Sequence, residues 1–173
     1  MADTRVTPQE ILLPVRAGFI AVTLLVALLL NLLPWSGAWL WFKPDFVALV
    51  LLCWCVEQPR KVGFVSAWLL GLVMDVADGT LFGQHALSYS ILAYAGIVLH
   101  RRVLMFSGTP QVLHVVVLLL INDFIVIVIR VLAGADFPGF RYFIGSFVAG
   151  ALWLPLSVLL KLPQRPQPDP DRV

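Results

Sequence analysis

Asp75, Asp78, His85 and Asp123 lie inside or at the edges of long apolar runs, where charge is expensive. A charged side chain at the centre of a membrane helix costs roughly 2.5–3.5 kcal/mol on insertion scales, so each demands a partner or a task. Asn122 and Asp123 fall midway along the apolar run 112–132. An acid there can serve as a proton or cation site; the structural alternative is a hydrogen-bonded contact in which the pair meets a polar neighbour on another helix. The lack of a second carboxylate at a comparably central position favours packing. Asp75, Asp78 and His85 share the segment GLVMDVADGTLFGQHAL, residues 71–87. Two carboxylates and an imidazole could build a metal site, but their spacing matches none of the usual ligand signatures. The alternative is an ordered, capped, re-entrant turn. Carboxylates near a helix C-terminus oppose its dipole by about 0.3–1 kcal/mol. Backbone N–H groups of the turn from Gly79 to Gly83, or a basic residue such as Arg141, are therefore expected to hold them. Gly79 and Gly83 permit positive φ there.

The remaining chemistry is sparse. Cys53 and Cys55 sit two apart in an apolar run, where their side chains diverge around a helix, so no disulfide is expected between them and both read as buried small hydrophobes. The sequence holds no Gly-rich phosphate loop, no H-E-x-x-H and no G-x-S-x-G. Neither catalysis nor a cofactor is expected.

The elements that carry these residues are apolar to an unusual degree. Of 173 residues, 60% are hydrophobic and 13% charged, against roughly 45–50% and 25% in soluble domains. Lipid is the natural solvent for such a chain, and no basic face for nucleic acid is present. A helix needs about 20 mainly apolar residues to span the hydrocarbon core. Charges and prolines divide the sequence into six candidate spans: 17–33, 44–56, 62–74, 84–99, 112–132 and 142–160. The second and third are short, joined by Glu57-Gln58-Pro59-Arg60-Lys61, and read either as a pair of short spans or with one re-entrant. The first is too long for a signal-peptide core and reads as a retained helix.

The expected architecture is therefore an all-α integral membrane protein. It has a cytoplasmic segment 1–16, one polytopic membrane domain 17–162 and a flexible Pro-rich cytoplasmic tail 163–173. With the N-terminus inside, nine basic residues (Arg5, Arg16, Arg60, Lys61, Arg101, Arg102, Lys161, Arg165, Arg172) face the cytoplasm and three (Lys43, Arg130, Arg141) the other side. That bias predicts both termini inside and six crossings. Trp35, Trp39 and Trp41 cluster where indoles favour the outer interface. His100-Arg101-Arg102 reads as an anchor to headgroups, and His114 as interfacial. Gly63, Ala67 and Gly71 recur every four residues, as do Gly145 with Ala149 and Ser146 with Gly150, the small-xxx-small pattern of closely packed membrane helices.

In their order and spacing, the stretch PDFVALVLLCW (44–54), the Pro59-Arg60 hinge, the block 71–87, the Ala93-Tyr94 pair, Asn122-Asp123 and GALWLPL (150–156) resemble the bacterial rod shape-determining MreD family. The resemblance covers nearly the whole chain. It implies an inner-membrane scaffold or regulatory subunit, without catalysis, in the machinery that inserts peptidoglycan along the side wall. The implied partners are MreC, a single-span protein with a large periplasmic domain, and, nearby, MreB, the RodA glycosyltransferase and a class B penicillin-binding protein. The fold it implies is similar to the substrate-binding components of energy-coupling-factor transporters. That likeness supplies the alternative function, a small-molecule (vitamin)-binding subunit of a transporter, since fold alone does not decide function.

Overall fold

Each stretch of apolar residues between punctuating glycines, prolines and aspartates forms a helix. The computed structural model describes residues 15–37, 42–79 and 83–164. Within them run α1 (Ala17–Leu32), α2 (Phe46–Glu57), α3 (Phe64–Ala77), α4 (Gln84–Met105), α5 (Thr109–Leu132) and α6 (Ile144–Lys161), with no strand among the described residues. Single-turn 3-10 segments, Phe140–Phe143 and Leu162–Gln164, flank α6. Trp39, Trp41, Arg5, Arg165, Arg172, the centre of the 79–83 turn and nearly all of both terminal segments lie outside the described residues.

Local chemistry sets the helix starts. Asp45 caps α2, its carboxylate accepting the Ala48 N–H at 3.0 Å, the usual role of an aspartate at this position. Before α3, the Ser66 hydroxyl accepts the Gly63 N–H at 3.1 Å and donates to the Gly63 carbonyl at 2.8 Å. Gly83 enters α4 at φ +101°, a conformation that glycine adopts without strain. Pro110 lies in the first turn of α5, where its missing N–H costs nothing.

Most boundaries fall within one to three residues of the sequence reading. The exception is α4, which runs on to Met105 and takes His100-Arg101-Arg102 into its last turns rather than into a loop. Cations there favour the helix by facing the negative end of its dipole.

The helices α5, Thr109–Leu132, and the segment Phe140–Gln164 are each long and apolar enough to cross a membrane. By contrast, α2, with 12 residues, is only about 18 Å long at 1.5 Å per residue. It is also apolar all round, as a helix enclosed by others must be. Every residue from Val47 to Val56 is buried, and α1, α4 and α6 pack around it. The core draws on all six helices. Outward faces are apolar too: Val65 is 69% exposed, Leu113 63%, Phe147 57% and Val22 56%. A surface of that kind is matched to hydrocarbon rather than to water.

Close approach depends on small residues. A Cβ on Gly71 would lie 2.3 Å from the Ala86 Cα, so α3 and α4 meet backbone to backbone. Gly150 fits against the Val116 side chain, and Gly96 against Leu52 and Cys55. Ala67 and Ala149, on the same stripes, are buried as well. A Cβ on Gly63, at the start of the first stripe, would meet nothing within 4 Å.

Alternation of the helices creates two ends. At one, α1, α3 and α5 finish while α2, α4 and α6 begin. At the other, Glu57 pairs with Lys161 at 2.6 Å, and the Lys61 ammonium donates to the Val15 carbonyl.

Candidate functional site

Polar side chains gather at the first of these ends. Asp75, in the last turn of α3, is 1% exposed. One of its oxygens accepts the His85 N–H at 2.7 Å and the His85 Nδ1–H at 2.9 Å. The other accepts the Gly83 N–H at 2.8 Å and the Ala86 N–H at 3.4 Å. The carboxylate thus caps the first turn of the neighbouring helix α4. Its own helix dipole opposes it, but the positive end of α4 faces it directly, and three backbone donors make the second effect dominant. Of the two glycines expected to bound this turn, Gly83 supplies a donor, whereas the Gly79 N–H turns back to the Val76 carbonyl at 3.3 Å.

His85 stands between two acids. With Nδ1 donating to Asp75, its Nε2 lies 4.0 Å from Asp78, which is partly exposed. Asp75 is committed to backbone donors. A second network joins three helices through residues whose spacing in sequence carries no sign of it. Asp45 accepts from the Asn31 amide at 2.9 Å and from the Tyr89 hydroxyl at 2.7 Å, while the Asn31 amide oxygen accepts the Phe46 N–H at 2.9 Å. Lys43 donates to the Asn31 carbonyl at 2.7 Å, at the C-terminal end of α1, where a cation is favoured.

Asp123 approaches from α5, where the Ser146 hydroxyl of α6 donates to it at 2.5 Å. Asn122, beside it, is buried with its amide oxygen unbonded among the described residues. Gly145 brings α6 against the entrance of α2, since a Cβ there would lie 2.5 Å from the Lys43 carbonyl oxygen.

Together these residues surround a cavity of about 400 Å³, with Lys43, Asp45, Asp78, His85, Asp123 and Arg141 on its walls. That is the size of a small-molecule site. Asp78, His85 and Asp123, singled out in the sequence, meet here; Asp75 lies behind the wall as the buttress that orders it. Asn31, Lys43, Asp45 and Tyr89 were not anticipated. Two signals pointed to them: Asn31 is the lone amide in its apolar run, and Pro44-Asp45 before an apolar run is a helix-start signature.

Comparison with known proteins gives two matches. The family described as "rod shape-determining protein MreD" matches over residues 15–162. The rod shape-determining protein MreD of Haemophilus influenzae is 30% identical over 140 residues, spanning 79% of this chain and 84% of that protein. No solved structure matches.

Proposed function

The chain belongs to the MreD family of rod shape-determining proteins, and we propose that it acts as a non-catalytic inner-membrane subunit of the cell-elongation machinery, supporting side-wall peptidoglycan synthesis together with MreC. The observation that carries this reading is the family match across residues 15–162. MreB, RodA and a class B penicillin-binding protein complete the proposed assembly.

In this reading six helices cross the membrane, and the polar end lies outside. Supporting that orientation, Arg16, Arg60, Lys61, Arg101, Arg102 and Lys161 are at the Glu57 end, against Lys43, Arg130 and Arg141 at the other, six to three among the described residues. The short α2 is accommodated because its neighbours, not lipid, enclose it.

The polar cavity favours a second reading, a vitamin-binding transporter subunit. A deletion strain separates the two. Elongation function predicts round cells and recovery of MreC with a tagged copy of this chain. Retained rod shape with loss of vitamin uptake would replace that function with transport.

A further inference from the structure

Packing leaves α4 a single seam to the outside. From Gln84 to His100 its exposed residues are Leu87, Ile91, Tyr94 and Val98, while α2, α3 and α5 pack on its other faces. Steps of four, three and four residues are the a and d repeat of a coiled coil, with Ile91 and Val98 at a and Leu87 and Tyr94 at d. The aliphatic members suit lipid as well as they suit another helix. Tyr94 does not. It is 67% exposed, and its hydroxyl has no hydrogen-bond partner among the described residues. It lies ten residues from Gln84 and seven from Arg101, about 15 Å and about 10 Å along the helix. Its ring leans toward the N-terminus of α4, as helical side chains do, and so away from the nearer, basic end. Tyrosines in membrane proteins gather at the interfaces, and a hydroxyl left unpaired in hydrocarbon is costly.

Depth restricts what can meet that hydroxyl. An acyl chain carries no donor or acceptor there, whereas a transmembrane helix, its own backbone groups satisfied internally, can bring one. β-branched residues at a with leucine at d favour a parallel pair of helices, and membrane helices pair in the same left-handed geometry. We propose that a second copy of this chain docks along the seam, α4 against α4 about a two-fold axis normal to the membrane, with the two Tyr94 hydroxyls hydrogen-bonded to each other. Copies inserted in one orientation run parallel, so the axis sets each seam residue beside its own counterpart at the same depth. A tyrosine hydroxyl both donates and accepts, which makes the pair self-complementary. The inference rests on α4 crossing the membrane, as proposed above, and is independent of the elongation role.

The experiment is oxidative cross-linking of single cysteines in native membranes, where Cys53 and Cys55 are buried and out of reach. Leu87→Cys and Val98→Cys should each give a covalent dimer of this chain. Val22→Cys on α1 and Phe147→Cys on α6, at positions just as exposed, should not. Energy transfer between labelled copies in liposomes gives the dimer Kd, which Tyr94→Phe should raise about threefold to tenfold and Val22→Ala should leave unchanged. In detergent, diluted until the chain is monomeric, Tyr94→Phe should not move the unfolding midpoint, as it would if the hydroxyl acted within the bundle. Asp78 and Ser107 flank α4, and an impermeant thiol reagent should label Asp78→Cys and Ser107→Cys from opposite sides of the membrane. Labelling of both from one side overturns the crossing and the dimer with it. Labelling from opposite sides without cross-links at Leu87→Cys and Val98→Cys overturns the dimer alone. Cross-links to a different protein, equal cross-linking at Val22→Cys or Phe147→Cys, or an unchanged Kd in Tyr94→Phe also overturns it.

Discussion

Asp75 gives both carboxylate oxygens to the first turn of another helix, and this makes its substitutions informative. Asp75→Leu leaves the Gly83 and His85 N–H groups unpaired in a buried site, at roughly 1–3 kcal/mol each. Asp75→Asn keeps one acceptor but turns an NH₂ toward donors on the other side, so it should fall between wild type and Leu. The check is membrane abundance, cell shape and partner recovery for both variants in a deletion strain. Equal and complete loss of function at normal abundance would mean that the charge itself is used, as a proton carrier or metal ligand. Tyr89→Phe removes one donor from Asp45 while two remain. It should lower the unfolding free energy by about 1 kcal/mol, measurable as a drop in the detergent unfolding midpoint with packing of the ring unchanged. Sequence reasoning reached Asp75, Asp78 and His85 because they are local to one turn. It could not reach the Asn31–Asp45–Tyr89 network, whose members are 14 and 44 residues apart, because only the helix crossings bring them together.

Those crossings are set by small residues. The two ends of the stripe Gly63, Ala67, Gly71 should behave oppositely. Gly71→Ala forces a methyl to 2.3 Å from the Ala86 Cα, where backbone rather than a movable side chain must give way. It should destabilise by about 1–3 kcal/mol and also loosen the Asp75 cap, because that cap depends on the same α3–α4 contact. Gly63→Ala has open space and extended backbone, φ −150°, and should change the unfolding midpoint little. Measuring both in detergent tests the assignment; equal effects would contradict it. The repeat of four shows that a stripe exists, but not where along it the partner helix crosses. Gly96 shows the converse: it packs against Leu52 and Cys55 without belonging to any stripe in the sequence. Helix positions themselves were readable because apolar runs and breakers coincide. The extension of α4 through His100-Arg101-Arg102 is not legible in this way, because a charged cluster marks the end of an apolar run and not the end of a helix. Charge ends a membrane span, whereas the hydrogen-bond ladder continues into water.

At the scale of the whole molecule, orientation in the membrane is a matter of charge rather than of helix length. Among the described residues two segments, Thr109–Leu132 and Phe140–Gln164, are long and apolar enough to span alone. The short helices α1, α2 and α3 rely on their neighbours. Charge distribution does bear on orientation: six basic residues at the Glu57 end against three at the other would hold that end in the cytoplasm. Native Cys53 and Cys55 are buried, so single introduced cysteines report without interference. Asp136, in the exposed connection between α5 and α6, and Ser107, between α4 and α5, bracket the long helix α5. An impermeant thiol reagent added to spheroplasts should label Asp136→Cys directly. It should label Ser107→Cys and Arg60→Cys only after the membrane is opened. Labelling of Asp136→Cys and Ser107→Cys from the same side would mean that α5 does not cross. Labelling of Arg60→Cys and Ser107→Cys alone would invert the molecule, placing the polar cavity at the cytoplasmic face. The orientation thus determines which side of the membrane the cavity serves.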